Sequence, residues 1–330
     1  MAPLSGSMAE IGEKKLGFES IANKSLTWVD IQKPTHEKMK VLEESYLFHE
    51  LDIEDCLSKI QIPKIDRHED YIFILVHFPT ISKKDSIPRS SQLAIFAGAD
   101  YLVTVHQGEL RALTEMFQIC KVNEKQRDSF MGTSSGYLLH SIIDLLVDDL
   151  LHILLKLKGN LDDIEDVVFD DKHAAPKEIA LLRREITTLR RIVIPLKRTV
   201  LDFSKDIQKF SEEDLTLYFD NVKDHVDKVI EVLDESKETI EIFKDTDFML
   251  STEKSNKILA VLTILFTLSI PVTVVAAIYG MNVDLPGGIE TGTATFFGPF
   301  TSLILLIIVA TLPAGIMIWY FKRQGWIELQ

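Results

Sequence analysis

Two long stretches near the carboxyl end of this 330-residue chain carry no charge, and nothing else in the sequence restricts the fold as strongly. Residues 258–283 contain no Asp, Glu, Lys or Arg, and neither do residues 291–321. At ~1.5 Å per helical residue, each is long enough to cross a hydrocarbon core of about 30 Å. Such a core holds no water to satisfy open backbone groups. Both stretches must therefore cross as helices, and the chain ends in a membrane hairpin.

The basic residues suggest an orientation. Lys254 and Lys257 precede the first span, Lys322 and Arg323 follow the second, and residues 283–294 contain neither Lys nor Arg. The positive-inside bias then places both termini and the long front portion in the cytoplasm, with Gly280-Met281-Asn282 facing outward. Asp284 and Glu290 in the linking loop would attract cations weakly, although acidic loops also occur without that role.

Hydrophobic residues make up 46% of the chain and its mean hydropathy is +0.11, which suits a large cytoplasmic domain on a small membrane anchor. A net charge of −14 argues against a nucleic-acid partner. Cys56 and Cys120, with no Cys-x-x-Cys, give little support to a zinc site or disulfide framework. Residues 1–8 have neither a basic start nor an apolar core; they read as an expression remnant ahead of a natural start at Met8 rather than as a signal peptide.

In the front portion, residues 26–31, 71–78, 92–96 and 101–106 are β-rich runs, with Gly98-Ala99-Asp100 marking a turn. Residues 34–46 and 109–122 read as helices packed on that sheet. After the polar stretch 132–136 the pattern becomes helical from 137 to 208; a break at 173–176 makes two antiparallel helices, with a kink expected at Pro195. A third long helix is expected to start at Ser211, with Glu213 and Asp214 in its first turn. Its stripe Leu215, Phe219, Val222, Val226, Val229, Leu233, Ser236, Ile240 and Phe243 is a heptad seam, and no breaker precedes Pro271. One helix thus leads from the soluble part into the first span. A coiled-coil spacer on a membrane anchor would show the same heptads.

Continuing in steps of four and three from Asp245 gives Met249, Thr252, Asn256, Leu259, Thr263, Phe266, Ile270, Thr273, Ala277 and Gly280, with Leu262 beside the line. Two helices cannot enclose a pore, so a conducting pathway requires an oligomer in which each copy lends this face. Asn256 and the threonines are costly against lipid, which favours a pore or helix contacts for them.

The fourfold run Tyr279-Gly280-Met281-Asn282, followed by an aromatic-rich second span and a short basic tail, resembles the CorA magnesium channel signature. His49-Glu50-Leu51-Asp52-Ile53-Glu54-Asp55, Pro63-Lys64 and Glu69-Asp70-Tyr71-Ile72-Phe73 resemble the same family's amino-terminal domain. Leu189-Arg190-Arg191 with Pro195-Leu196 resembles its long-helix region. The likeness covers nearly the whole chain. It implies an α+β cytoplasmic domain, long antiparallel helices and a two-helix transmembrane hairpin, assembled as a funnel-shaped homopentamer around the first span.

The expected organisation is a cytoplasmic α/β domain at 1–135, an antiparallel long-helix pair at 136–210 and a stalk helix at 211–257. The first, pore-forming transmembrane helix follows at 258–283, then an external loop at 284–295, the second transmembrane helix at 296–321 and a cytoplasmic basic tail at 322–330. The implied function is passive uptake of Mg2+, with Co2+ and Ni2+ as further cargo, across a cell (inner) membrane.

Gly280, Met281 and Asn282 would form the selectivity filter. Mg2+ holds its octahedral water shell tightly. The Asn282 carboxamide and the carbonyls of Gly280 and Met281 could accept hydrogen bonds from those waters and select a hydrated ion. In the resembled family, intracellular Mg2+ bridging carboxylates between subunits holds the gate shut. Counting back from the signature puts the family's stalk aspartate at Asn221, so Asp220 and Asp224 become the candidate metal ligands, with Asp85 their expected partner in the α/β domain. Leu259 and Ile270 stand where relatives carry methionines, and aliphatic rings can still gate by dewetting. The acidic run Asp162-Asp163-Ile164-Glu165-Asp166 with Asp170-Asp171 reads equally as a solvated face, and the nine histidines show no ligand spacing on a common helix face.

No phosphate-binding Gly-x-x-x-x-Gly-Lys loop or His-Glu-x-x-His occurs, so an enzyme is not indicated. A zinc or proton-coupled relative and a non-conducting membrane-anchored sensor remain as alternatives, and Met281 favours magnesium over zinc.

Overall fold

The alternation of Tyr71-Ile72-Phe73-Ile74-Leu75-Val76 sends apolar side chains to both faces of a strand, which requires a sheet covered on both sides. The computed structural model, which describes residues 18–58, 61–81, 87–132, 134–169, 176–281 and 301–324, has such a sheet. Its strands are β1 (Glu19–Asn23), β2 (Leu26–Gln32), β3 (Lys64–Arg67), β4 (Tyr71–Thr80), β5 (Arg89–Gly98) and β6 (Tyr101–His106), in the order β1-β2-β6-β5-β4-β3. Only the β2–β6 pair is parallel. The β5–β6 turn falls where Gly98 was expected to mark it, and a Cβ there would lie 2.5 Å from the Tyr101 ring.

Helices α1 (His36–Tyr46) and α2 (Glu50–Leu57) cover one face, packing Met39, Leu42, Ile53 and Cys56 on Phe73, Leu75 and Phe96. The other face receives α3 (Arg111–Val122) through Leu113, Met116 and Phe117, and also packs against the long α5 (Ser135–Phe169). Helix α1 begins two residues later than expected because Thr35, held extended, accepts a hydrogen bond from Lys38 N. Strands β1 and β3 and the helices α2 and α4 (Glu124–Met131) escaped the sequence reading. Both strands are short edges rich in polar residues, and α4 has a single buried residue, Met131, so neither shows an apolar period.

Helices α5 and α6 (Pro176–Asp206) form the anticipated pair, and α6 runs through Pro195 without ending there. The third long helix, α7 (Thr216–Tyr279), corrects the expected start at Ser211. A 3-10 turn at Ile207–Phe210 comes first, and Gln208 then bridges the next residues, its Oε1 accepting from Leu215 N at 2.9 Å and its Nε2 donating to Glu213 O at 2.7 Å. Asp214, not Ser211, accepts from Thr216 N as α7 begins.

All nine seam residues from Leu215 to Phe243 are buried, packed with apolar residues of α5 and α6. Three ion pairs set the antiparallel register of α6 on α7: Arg183 with Glu241, Arg190 with Asp234, and Lys197 with Asp227. Their members step by seven residues along each helix in opposite directions, so one slip would break all three. The chain divides into two compact units, Met1–Asp245 and Thr246–Gln330; the second contains the remainder of α7 and the apolar helix α8 (Thr301–Arg323). Among the described residues two helices, one of them the membrane-length part of α7, are long and apolar enough to span a bilayer.

Candidate ion pathway and metal-binding groups

Heptad spacing puts Asn256, Leu259, Thr263, Phe266, Ile270, Thr273 and Ala277 on one face of α7, and none of them is covered by the chain itself. Leu259 is 58% exposed, Phe266 65% and Ile270 58%, with Met249 and Leu262 exposed as well. The partial cover on this helix falls instead on Ile264, Thr267, Leu268, Pro271 and Val275, a stripe about 120° round the axis. On α8 the covered positions are Ala310 and Phe321. The line read from the sequence is thus a distinct apolar face left for lipid, water or further copies of the chain.

The hydroxyls on that face do not need a pore. Thr263 Oγ1 donates to Leu259 O at 2.7 Å and Thr273 Oγ1 to Ser269 O at 2.8 Å, so each is satisfied by its own helix. That removes the cost on which the pore argument for the threonines rested. Asn256 differs: it is exposed, and its carboxamide has no hydrogen bond among the described residues. At the amino-terminal end of the line Asp245 is exposed and lies 3.3 Å from Lys244 Nζ.

At the carboxyl end of α7, Gly280 N donates to Ala276 O at 2.9 Å and Met281 N to Ile278 O at 3.3 Å, so the last turn tightens as the helix closes. Gly280 is not in the left-handed region, and a Cβ there would lie 3.1 Å from Ala276 O. Asn282, Asp284, Glu290 and the rest of residues 282–300 lie outside the described residues, as do Asp85, Asp170 and Asp171.

Asp220 and Asp224 sit one turn apart on α7, exposed, with Asn221 between them, and form no ion pair among the described residues. A group that sequence reasoning missed lies beside them: Asp144 and Asp148 of α5 with His225 of α7, each offering an atom within 4.8 Å of the others. His225 Nδ1 is 3.8 Å from Asp148 Oδ1, and both it and Asp144 Oδ1 are buried without a hydrogen bond. Two carboxylates and an imidazole are a donor set that can hold a divalent cation. The signal was present as aspartates at i and i+4, but a search for histidine ligands along single helices could not join residues some 80 apart.

A second acidic group, Asp52, Asp55 and Asp66, is already occupied. Lys64 Nζ sits 2.5 Å from both Asp55 and Asp66, and Asp52 accepts from Tyr71 Oη at 2.8 Å with His68 Nε2 at the same distance. Burial pushes the Asp52 carboxyl up, against the pull of Tyr71 and His68.

The acidic run on α5 faces a buried carboxylate on α6. Glu185 is only 6% exposed in a pocket that Asp163 also lines, and burial pushes its carboxyl up while Lys156 pulls it down. A folded pKa above the unfolded one means stability is full below the ordinary value of 4.5 and is lost as pH rises through the folded value. Glu185→Gln is therefore expected to raise the melting temperature by a few degrees at about pH 7.5, the gain vanishing near about pH 4. A melting temperature lowered at neutral pH would show that the carboxylate has a favourable partner instead.

The family pattern described as CorA-like Mg2+ transporter protein matches residues 23–323. The protein named putative metal ion transporter YfjQ of Bacillus subtilis is 28% identical over 305 residues, covering 92% of this chain and 90% of that one. The cobalt/magnesium transport protein CorA of Methanocaldococcus jannaschii is 23% identical over 320 residues, 96% of each. The solved complete structure of the CorA magnesium transporter from that organism superposes with a TM-score of 0.77 at 20% identity, covering 94% of both chains.

Proposed function

Because the chain belongs to the CorA-like Mg2+ transporter family, a family of membrane transporters and not of enzymes, we propose that it is a passive channel for hydrated Mg2+. Its cargo would extend to Co2+ and Ni2+, with Asn282 as the selecting ring, backed by Gly280 and Met281. The observation that carries this reading is the uncovered face of α7. An apolar line from Leu259 to Ala277, flanked by Asn256 at one end and the signature at the other, is supplied by a helix that cannot enclose a path alone. Copies arranged around that face, five by likeness to the family, would close it into a pore. Both termini would lie in the cytoplasm, in keeping with the basic residues that flank the two spans.

Neutral ligands at the mouth suit this cargo: a carboxylate ring would bind the ion more tightly and slow its release, whereas carboxamides orient its waters without trapping it. The gate would be the dry middle of the line. With no phosphate-binding loop to couple hydrolysis, flux would follow the gradient and the membrane potential.

The deciding experiment is flux by the purified protein in liposomes across Mg2+, Co2+, Ni2+ and Zn2+. Uptake of Mg2+ with little Zn2+ is expected; Zn2+ uptake driven by a proton gradient, or no flux for any ion, would sink the proposal. In the same assay Leu259→Gly and Ile270→Gly should each raise basal leak several-fold, because a ring that excludes water becomes wide and wet. Each also costs about 1 kcal/mol of helix propensity, so oligomer size is checked first. Unchanged leak in assembled variants would place the gate elsewhere.

A further inference from the structure

The adjacent parallel strands β2 and β6 part company at their carboxyl ends. The chain leaving β2 enters α1 on one face of the sheet, and the chain leaving β6 enters α3 on the other. Connections that diverge to opposite faces open a crevice at the strand ends, the place where open α/β sheets hold ligands. A cavity of about 580 Å³ opens there, within the usual range for small-molecule sites. It is far from the ion pathway in sequence and contains none of its residues.

The floor is rigid and fully used. His106 Nδ1 accepts from Gly108 N at 3.1 Å, so Nε2 carries the proton and faces Asp30 Oδ1 at 3.1 Å. Asp30 also accepts from Thr104 Oγ1 at 2.7 Å and Gln32 Nε2 at 3.1 Å. This network fixes the backbone around the cavity and leaves binding to the walls.

The walls are not satisfied. Ser91, 2% exposed, has a buried Oγ with no hydrogen-bond partner among the described residues. Gln92 donates through Nε2 to Asp55 O at 2.9 Å, which fixes its amide and leaves Oε1 buried without a donor. Buried polar atoms are nearly always paired, so these two ask for a partner that the described residues do not supply. His77 lines the same space, and burial holds its imidazole below the usual range, so it adds no charge at neutral pH. Lys33 and Glu109, one from each diverging loop, give the cavity one charge of each sign, and neither forms an ion pair among the described residues. A bare inorganic anion would leave Glu109 and Gln92 Oε1 unanswered.

We propose that this cavity binds a small organic oxyanion, carboxylate or phosphate, that also carries an N–H or O–H donor. The oxyanion meets Lys33 and the Ser91 hydroxyl, and the donor meets Gln92 Oε1. The full-length protein in detergent, free of divalent ions, is titrated with L-glutamate for the carboxylate arm and AMP for the phosphate arm, read by calorimetry and thermal shift. At least one probe should bind with Kd below about 1 mM, and Lys33→Asn and Gln92→Leu should each weaken it about tenfold. Asn keeps the turn, because Lys33 has φ 52° and Asn tolerates the left-handed region. Where Gln92→Leu fails to fold, Ser91→Ala replaces it. Binding of glutamate alone or of AMP alone identifies the oxyanion. No binding of either probe at about 10 mM, or affinity unchanged in both variants, overturns the proposal and leaves a water-filled crevice.

Discussion

Asn282→Ala is expected to abolish magnesium-selective uptake while leaving expression and oligomer size intact. The substitution removes a carboxamide while keeping the chain length, and Gly280 and Met281 just before it are exposed in the chain itself. On the proposed function, what is lost is a ring of dipoles able to hold the waters of a hydrated ion. A hydrogen bond with a charged partner contributes about 1.5–3 kcal/mol, so losing even one per ion lowers selective binding by about tenfold or more. Asn282→Asp separates dipole from charge: it should restore divalent binding but slow throughput, because a carboxylate holds the ion more tightly. Purified protein in liposomes, assayed for Mg2+ against a panel of divalent ions, decides the matter. Normal, selective flux through Asn282→Ala would move the filter away from this residue.

The parts of this molecule legible in its sequence are those where one physical constraint acts alone. A water-free bilayer demands long uncharged helices, and the two helices at the carboxyl end follow from that. A helix packed along one side demands apolar residues every three or four positions, and every residue of the seam from Leu215 to Phe243 is buried. Sequence pattern fails where contacts are made by polar atoms or between distant segments. Ser211 looks like a helix cap, but Gln208, seven residues before Leu215, ties the turn and delays α7 to Thr216. The trio Asp144, Asp148 and His225 is spread over two helices that meet only because the seam packs, and no spacing rule along one helix could reveal it. The threonine hydroxyls of the first span show the same thing, since the preceding turn's carbonyl satisfies each of them. Asp220 and Asp224 were placed by counting back from the signature, and α7 does present both on its exposed side.

Those two aspartates carry the last prediction, which concerns regulation. If intracellular Mg2+ holds the assembled channel shut through carboxylates between the stalk and the α/β domain, the ion must bind the closed form better than any other. A ligand that binds one state stabilises it by mass action, by about 2.7 kcal/mol at a hundredfold excess over Kd. Replacing Asp220, Asp224 and Asp85 together with alanine should remove most of the Mg2+-dependent rise in melting temperature and leave current flowing at millimolar internal Mg2+. The exposed position of Asp220 and Asp224 makes this a clean test, because removing them breaks no ion pair among the described residues and uncovers no core. A parallel variant, Asp144→Asn with Asp148→Asn, probes the trio with His225 in the same two assays. Loss of the thermal shift only in the first variant assigns the gate to the exposed stalk carboxylates. Loss only in the second moves it to the α5–α7 trio, and a full shift with normal closure in both would show that Mg2+ acts at neither.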